Sequence, residues 1–243
     1  TRVNNIYKEY TDQVEHASID ESYLDVTGSL HLFGGDAHQL ACKIQQRVTA
    51  ETGLTVSVGI SFNKVFAKMA SELEKPNGIS IINKHNFQDI LWPMPVTSML
   101  FVGKSTAELL RRLGIFTIAQ LAQADTAILR EQLGKQGMQL HLYANGLDTS
   151  PVLHAREDSA LHSIGNGMTF KRNLISRQDI LTAVTALSDT VASRMRKQGV
   201  KCMTVQVAIK DENLKVITRQ KPVETATWLA EVLCREAMAL LDA

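Results

Sequence analysis

Two adjacent carboxylates, Asp20 and Glu21, are the residues in this sequence best suited to chemistry on phosphates. Hard divalent cations such as Mg²⁺ prefer carboxylate oxygens, and phosphoryl transfer uses such cations to neutralise charge on the attacking and leaving oxygens. Neighbouring side chains on a regular strand point to opposite faces, so these two could share a cation only at a bend or a hairpin tip. An ordinary acidic turn is the alternative interpretation.

A lysine-bearing helix, predicted over residues 63–74, could supply positive charge opposite those carboxylates. A triphosphate held between carboxylate-bound metal ions and a lysine is a chemically complete arrangement, in which the lysine acts as a point charge. A solvated helix face is the simpler interpretation of such a pattern. The lysines that fall near one another are Lys64, Lys68 and Lys75.

A tight turn opens another predicted helix at Gly103 and Lys104. A helix N-terminus offers unpaired N–H groups and a positive dipole end, so it can hold a nucleic-acid phosphate without reading sequence. Ser105 or Thr106 could instead simply cap the helix. The sequence contains neither GxxxxGK[ST] nor GxGxxG, which argues against a P-loop or a Rossmann nucleotide site.

Positive charge is concentrated in the last third of the chain. The chain carries 26 Lys and Arg against 25 Asp and Glu, but its net charge runs from −3 over residues 1–82, through 0 over 83–162, to +4 over 163–243. Residues 171–221 hold 11 basic and 4 acidic residues. This density is expected where a surface follows a phosphate backbone, and a solvated helix and hairpin face is the alternative.

Composition excludes several classes of protein. The 243 residues are 44% hydrophobic, which is typical of a folded chain and excludes disorder as the main state. No run approaches the roughly 18 apolar residues of a membrane span, and the first residues do not resemble a secretion signal. Three widely spaced cysteines without metal-ligand spacing favour a reduced, cytoplasmic protein.

The first third alternates strands with amphipathic helices and predicts an α/β layer. Short extended runs within residues 14–26 flank the two carboxylates, and a helix follows over residues 36–52. A strand over residues 54–60 precedes the lysine-bearing helix, which must end at residues 75–78 because proline cannot continue a helix. A closing strand spans residues 79–82.

The remaining two thirds predict a helical module, a linker and a regular basic module. Residues 83–152 contain short helices broken by prolines and glycines, and residues 153–162 lack periodicity, as a linker would. A strand over residues 163–170 precedes a helix that begins with a capping box and ends at a glycine. The later elements are a strand from Met203 to Lys210, a partner strand ending near Arg219, and a helix from Thr225 to Leu241.

Three long motifs resemble the Y-family, or translesion, DNA polymerases, most closely their DNA polymerase IV branch. They are ASIDESYLDVTG at residues 17–28, VGISFNKVFAKMAS at 58–71 and KPNG at 75–78. The resemblance continues more weakly through VGK at 102–104, which looks like a helix-hairpin-helix, and SIG at 163–165, which looks like the opening strand of a little-finger domain. It therefore covers nearly the whole chain.

The resemblance implies an α+β fold made of three family domains. A partial palm with its α/β sheet would occupy residues 1–82, and an all-helical thumb with the helix-hairpin-helix would occupy residues 83–152. Residues 153–162 would link the thumb to a little finger of βαββα type over residues 163–243, which lacks its last strand.

The resemblance also implies template-directed DNA synthesis by two-metal phosphoryl transfer across damaged template, with two Mg²⁺ ions in the complete family site. Implied partners are primer-template DNA, deoxynucleoside triphosphates and, for the full-length protein, a sliding clamp; the protein is expected to be a monomer. Asp20 and Glu21 match the catalytic, metal-binding carboxylates, and Lys75 matches the lysine that contacts the triphosphate. The residues expected to hold the DNA backbone are Gly103, Lys104, Ser105, Thr106, Lys171, Arg172 and Arg219.

The sequence departs from the family pattern in two places. The family begins with a strand that carries a third metal-binding Asp, followed by an aromatic steric gate and a fingers domain, and none of these precedes Thr1. With two of three carboxylates, metal affinity and catalysis are expected to be badly impaired, so this chain resembles a truncated form that is inactive alone. Phe101 stands where the hairpin usually has a glycine, which hinders close backbone approach to DNA.

Two other interpretations stay open. A non-catalytic DNA-binding relative would use the thumb and little finger for binding and keep the palm only as scaffold. A nucleotide cyclase also uses palm-like sheets and paired metal ions, but the basic C-terminal module and the helix-hairpin-helix turn argue against it.

Overall fold

The computed structural model describes residues 2–154 and 163–242, and the chain divides into two compact units, residues 1–159 and 160–243. The predicted linker at residues 153–162 lies almost entirely outside the described residues. In the part of the chain that the structure describes, no helix is both long and apolar enough to cross a membrane.

The first unit contains four short strands and seven α-helices among its described residues, and the strands of the second unit are longer. The strands are β1 (Val14–His16), β2 (Ser22–Leu24), β3 (Val58–Ser61), β4 (Ile79–Ile82), β5 (Cys202–Lys210) and β6 (Val216–Thr227). The helices are α1 (Arg2–Tyr7), α2 (Ala37–Thr52), α3 (Lys64–Leu73), α4 (Phe87–Leu91), α5 (Lys104–Arg112), α6 (Ile118–Gln123), α7 (Thr126–Ala144), α8 (Arg177–Gln198) and α9 (Ala230–Leu241).

The helix predicted over residues 36–52 is confirmed as α2. Asp36 caps its N-terminus through the side-chain carboxylate, and Gly53 ends it in the left-handed conformation with φ 73°. Its buried face, which includes Leu40 and Ile44, forms one core of the first unit. Ile6 of α1, a helix that the sequence analysis did not predict, completes that core.

A β-strand, helix, β-strand unit forms the second part of the first unit. β3 and β4 pair in parallel, with Val58 opposite Ile79, and α3 provides the crossover that parallel strands require. The strand predicted over residues 79–82 is confirmed. α3 buries Phe66 and Met69 in a core that it shares with the helices α5 to α7.

The strands of the first unit form two separate two-stranded sheets instead of one palm sheet. β1 and β2 pair antiparallel, with Glu15 opposite Tyr23, while β3 pairs only with β4. A sheet continues only where a neighbouring strand supplies backbone partners at its edge. Among residues 2–154 no strand joins β2 to β3, so the predicted palm sheet is divided here.

The prediction of an all-helical segment over residues 83–152 is confirmed for the described chain, in which the one β-type contact there is an isolated bridge between Pro95 and Thr117. Gly114, with φ 78°, follows the end of α5. Gly134 has φ 61° and ψ −139°, so it interrupts α7 as predicted. Glycine thus allows the chain to turn after α5 and to kink within α7.

Within residues 163–242 the second unit contains one antiparallel hairpin and two helices that pack on it. Ser176 caps α8 by accepting from the backbone N–H of Asp179, and Gly199 ends the helix with φ 68°, as predicted. β5 and β6 pair with Val207 opposite Arg219. Buried residues of both helices and both strands, Met195 among them, form the core.

One predicted strand and two predicted boundaries in the second unit were wrong. Residues 163–170 form no strand, because no other strand among the described residues pairs with them; Arg194 Nη1 donates to the carbonyl of Gly165 at 2.6 Å. β6 continues to Thr227 instead of ending near Arg219. The last helix begins at Ala230 instead of Thr225, because the buried Thr227 still belongs to the strand.

Candidate functional site

Asp20 and Glu21 lie at the tip of the β1–β2 hairpin. The backbone N–H groups of Ala17 and Ser18 donate to the carbonyl of Glu21 at 3.0 and 3.2 Å, which closes the turn. This geometry meets the requirement set by the sequence, because neighbouring side chains can serve one cation only where the strand bends. Both carboxylates therefore lie at a turn that lines one cleft, and their sharing of a cation stays a prediction.

The Asp20 carboxylate is exposed and is stabilised in its charged form. The Ser18 hydroxyl donates to Asp20 Oδ1 at 2.6 Å, and this hydrogen bond is the largest influence that lowers the pKa of Asp20. The positive charges of Lys68 and Lys75 lower the same pKa further. Asp20 is thus an anion throughout the neutral range and is ready to bind a cation.

We expect Ser18→Ala to raise the pKa of Asp20 toward its ordinary value, because the variant removes the strongest hydrogen bond to the carboxylate. An NMR titration of the Asp20 side-chain carbon would measure the change. Ser29→Ala is the control, since Ser29 donates to the carbonyl of Val26 and not to Asp20. An unchanged pKa in Ser18→Ala would contradict the assignment.

Lysines of α3 and of the following turn face the carboxylates through an ion-pair network. Lys68 Nζ donates to Glu21 Oε1 at 2.8 Å and also contacts Glu72, while Lys75 Nζ donates to Glu72 Oε1 at 2.8 Å. Burial opposes the charge of Lys68, but the bonds to the two glutamates outweigh it and raise the Lys68 pKa. The lysine stripe predicted from the sequence is therefore paired with acidic residues.

Two acidic partners of the predicted lysines were not predicted as site residues: Glu72, and Glu15, which pairs with Lys64. Lys64 Nζ donates to both carboxylate oxygens of Glu15 at 2.6 and 2.7 Å. The pairing of Glu72 with Lys68 could have been predicted from the sequence, because residues four apart on a helix are neighbours. Glu15 lies on another element, and its pairing could not be read from spacing.

The turn at residues 75–78 places Lys75 next to Glu72, in the same ion-pair network. Asn77 has φ 61°, and a Cβ on Gly78 would lie 2.0 Å from the carbonyl oxygen of Glu74, so only glycine fits there. Gln45 Nε2 donates to the carbonyl of Asn77 at 3.0 Å and fixes the turn to α2. The predicted turn is confirmed.

A cleft of about 660 Å³ separates the β1–β2 hairpin from β3 and α3. Its lining includes apolar side chains of α2, such as Leu40 and Ile44. The charged residues that line it are Asp20, Glu21, Asp25, Lys64, Lys68 and Lys75. The predicted carboxylates and all three predicted lysines therefore belong to one cleft.

The carboxylate pair fits a hard divalent cation only in part. Asp20 and Glu21 offer the oxygen ligands that Mg²⁺ prefers, and their place at a hairpin tip leaves room for water and phosphate ligands. Within residues 2–154 and 163–242, however, no group of three or more His, Cys, Asp or Glu side chains could hold a metal ion. The pair supplies part of a coordination shell, and Lys68 neutralises Glu21.

The hairpin before α5, formed by residues 99–103, places an uncapped helix N-terminus at the surface. Gly103 is the N-cap residue in an extended conformation, and no side chain caps the helix, so neither Ser105 nor Thr106 plays that role. Thr106 is 8% exposed, so its side chain points into the protein. Lys104 and Ser105 are exposed, which leaves backbone N–H groups and these two side chains available to a phosphate.

The basic residues predicted to hold DNA in the second unit have different surroundings. Lys171 is exposed, whereas Arg172 makes a two-pronged ion pair with Asp179 at 2.9 and 3.0 Å. Arg219 is exposed and pairs across the hairpin with Val207, and its guanidinium donates to the carbonyl of Thr218. The guanidinium of Arg172 is therefore already paired with a carboxylate in the first turn of α8.

Comparison with known families supports the arrangement of these segments. The profile of the impB/mucB/samB family matches residues 1–72, and the profile of its C-terminal domain matches residues 161–243. The profile described as the IMS family HHH motif matches residues 85–115, which contain the hairpin before α5.

Curated relatives are DNA polymerases IV of bacteria. The one from Acetivibrio thermocellus is 40% identical over 232 residues, which is 96% of this chain and 58% of the relative. The one from Clostridium kluyveri is 39% identical over 241 residues, which is 99% of this chain and 59% of the relative. The chain thus spans somewhat less than three fifths of the length of these relatives.

Solved structures of the same kind of polymerase share the fold. The Y-family DNA polymerase chimera Dbh-Dpo4(243-245)-Dbh matches with a TM-score of 0.85 and 26% identity over 99% of this chain and 68% of its own. DinB from Sulfolobus solfataricus matches with a TM-score of 0.57 and 25% identity over 99% and 69% of the two chains. With family profiles, relatives and fold in agreement, the chain belongs to the impB/mucB/samB family, the DinB-type Y-family DNA polymerases.

Proposed function

We propose that this chain is the palm, thumb and little-finger part of a translesion DNA-directed DNA polymerase, which adds deoxynucleotides to a primer 3′ end. One observation carries the proposal: Asp20 and Glu21, at one hairpin tip, line the same cleft as Lys68, which bonds to Glu21, and Lys75. Anionic ligands for metal and cationic contacts for phosphate in one cleft suit phosphoryl transfer.

In this proposal each charged residue of the cleft has a defined task. Asp20 and Glu21 would hold Mg²⁺, and the two ions of a complete site would neutralise charge on the attacking and leaving oxygens. Lys75 contacts the incoming triphosphate as a point charge. Lys68 pairs with Glu21 and Glu72 at once, so it would keep Glu72 as a partner when a cation replaced it at Glu21.

DNA binding is assigned to the helical segment and to the basic second unit. The uncapped N-terminus of α5, with Gly103, Lys104, Ser105 and the backbone of Thr106, would accept a backbone phosphate. Lys171 and Arg219 are exposed cations suited to further phosphates, whereas Arg172 must share its guanidinium with Asp179.

The proposal extends to organisation and partners. The palm, thumb and little finger are assigned to residues 1–82, 83–152 and 163–243, with the linker over 153–162. The three unpaired cysteines support action in the reducing cytoplasm. We propose that the full-length protein works as a monomer that engages a sliding clamp.

Primer extension with Mg²⁺ and all four deoxynucleotides tests the proposal. The proteins compared are this chain, the same chain joined to a family N-terminal segment, and the joined protein with Asp20→Ala/Glu21→Ala or with Lys75→Ala. The double variant is expected to abolish extension, and Lys75→Ala is expected to lower kcat/KM for nucleotide about 10²-fold. Glu131→Ala, which changes an exposed carboxylate on α7, is the control and should extend normally.

A salt titration of primer-template binding on the same proteins separates catalysis from binding. Failure of every protein to extend, together with steep salt dependence of binding, would replace the polymerase with a non-catalytic DNA-binding relative. Failure to bind DNA at all would overturn both functions. Extension by the double variant would overturn the carboxylate assignment alone.

A further inference from the structure

A bulky aromatic residue occupies a position of the hairpin before α5 that favours glycine. The backbone N–H of Val102 donates to the carbonyl of Met99 at 3.1 Å, so Phe101 is the third residue of a four-residue turn. Its φ is 69°, in the left-handed region where a side chain is strained. A glycine would form the same turn without this strain.

Burial does not offset the strain at Phe101. The residue remains 59% exposed, and its ring lies 5.7 Å from the ring of Tyr143 at an interplanar angle of 36°. Gln136 Nε2 donates to the Phe101 carbonyl at 3.3 Å and fixes the turn to the same helix, α7. The Phe101 ring is thus held at the surface against the ring of Tyr143. Strained residues that the surrounding structure holds in place are frequent where a ligand is bound.

The position of the ring indicates which ligand it would meet. Gly103, two residues later, begins α5 with no side-chain cap, and Lys104 is exposed beside it. A phosphate that binds these groups carries a sugar and a base on either side of it. Aromatic side chains stack on such groups in many single-stranded nucleic-acid sites, in combination with basic residues that follow the backbone.

We propose that Phe101 is a DNA-contacting residue whose ring, supported by Tyr143, packs against the deoxyribose next to the phosphate held at the N-terminus of α5. The inference rests on the proposed function, because it requires that this hairpin meets DNA. The contact is apolar, so it adds affinity without releasing counterions. Phe101 and Lys104 should therefore affect salt dependence differently.

Fluorescence anisotropy of a labelled primer-template duplex, titrated with the full chain at several salt concentrations, tests the inference. Phe101→Ala is expected to weaken binding about tenfold at every salt concentration, and Phe101→Tyr is expected to keep the affinity. Lys104→Ala is expected to reduce the slope of log K against log salt by about 0.9. Phe116→Ala is the matched control, because Phe116 is a 53% exposed ring on the same helical segment.

Each outcome decides between the inference and the proposed function. Binding by the unchanged chain, with equal affinity for Phe101→Ala, would overturn the inference and leave the proposed function standing. A Phe101→Ala variant with both a weaker affinity and a smaller salt slope would mean a displaced hairpin and would also overturn it. No binding by the unchanged chain would instead overturn the DNA-binding function. Thermal unfolding of each variant shows whether a loss of affinity comes from unfolding.

Discussion

Gly59→Ala is expected to destabilise the first unit by about 3 kcal/mol, because no room exists for a methyl group between β3 and α3. A Cβ at this position would lie 2.0 Å from the carbonyl oxygen of Ala67 and 2.4 Å from the backbone nitrogen of Ser71. Both are backbone atoms of α3, so the clash is relieved only by moving the helix away from the strand. That movement would also carry Lys68 away from Glu21.

Urea denaturation in a Trp228→Phe background would measure this effect. The chain has two tryptophans, and Trp92, which packs against the core of the first unit, would then be the only reporter. Gly28→Ala is the control, since a Cβ there meets no heavy atom within 4 Å, and it should stabilise the unit by about 0.5 kcal/mol. Equal midpoints for the two variants would mean that β3 and α3 are less closely packed than described.

Local signals in the sequence predicted those parts of the site that neighbours in the chain determine. The sequence places Asp20 and Glu21 between two short extended runs and requires a bend there if they share a cation, and backbone bonds inside the same hairpin close that bend. The end of α3 and the turn at residues 75–78 follow from Lys-Pro-Asn-Gly, whose conformational preferences are intrinsic. The Ser176 cap of α8 is likewise a contact within four residues.

The sequence did not predict features that depend on distant partners. The short helix α1 has no acidic residue in its first turn and no basic residue in its last, and it is stabilised by packing of Ile6 against α2. The sequence predicts a strand over residues 163–170, but a strand exists only with a pairing neighbour, and no described strand pairs with this segment. Thr227 continues β6 beyond the predicted end because tertiary burial outweighs helix propensity.

The ion pair of Glu15 with Lys64 is a long-range feature with a large expected effect. The two side chains are 13% and 18% exposed, and the Glu15 carboxylate also accepts the backbone N–H of Leu153 at 2.8 Å. Lys64 Nζ donates in addition to the carbonyl of Pro151 at 3.3 Å and lies 5.1 Å from the ring centre of Tyr23. The pair thus binds the segment after the helical module to the hairpin that carries Asp20 and Glu21.

Glu15→Gln is expected to destabilise the first unit by about 2–3 kcal/mol, because it leaves the mostly buried ammonium of Lys64 without its counter-charge. The double variant Glu15→Gln/Lys64→Met removes both charges and should recover much of that loss. Urea denaturation measures both, and hydrogen exchange at the Leu153 amide should accelerate in Glu15→Gln because the acceptor is weaker.

The exposed ion pair of Glu9 with Arg47 is the control for this prediction. Glu9 pairs with Arg47 at 2.7 Å, but the two side chains are 56% and 33% exposed, so Glu9→Gln should change stability little and leave the Leu153 amide protected. Equal effects of Glu15→Gln and Glu9→Gln would mean that the Glu15–Lys64 pair does not anchor the segment. Faster exchange of the Leu153 amide in Glu15→Gln alone would mean that the Glu15–Lys64 pair holds residues 151–153 against the β1–β2 hairpin. A substitution in either of these two segments should then change the stability of the other.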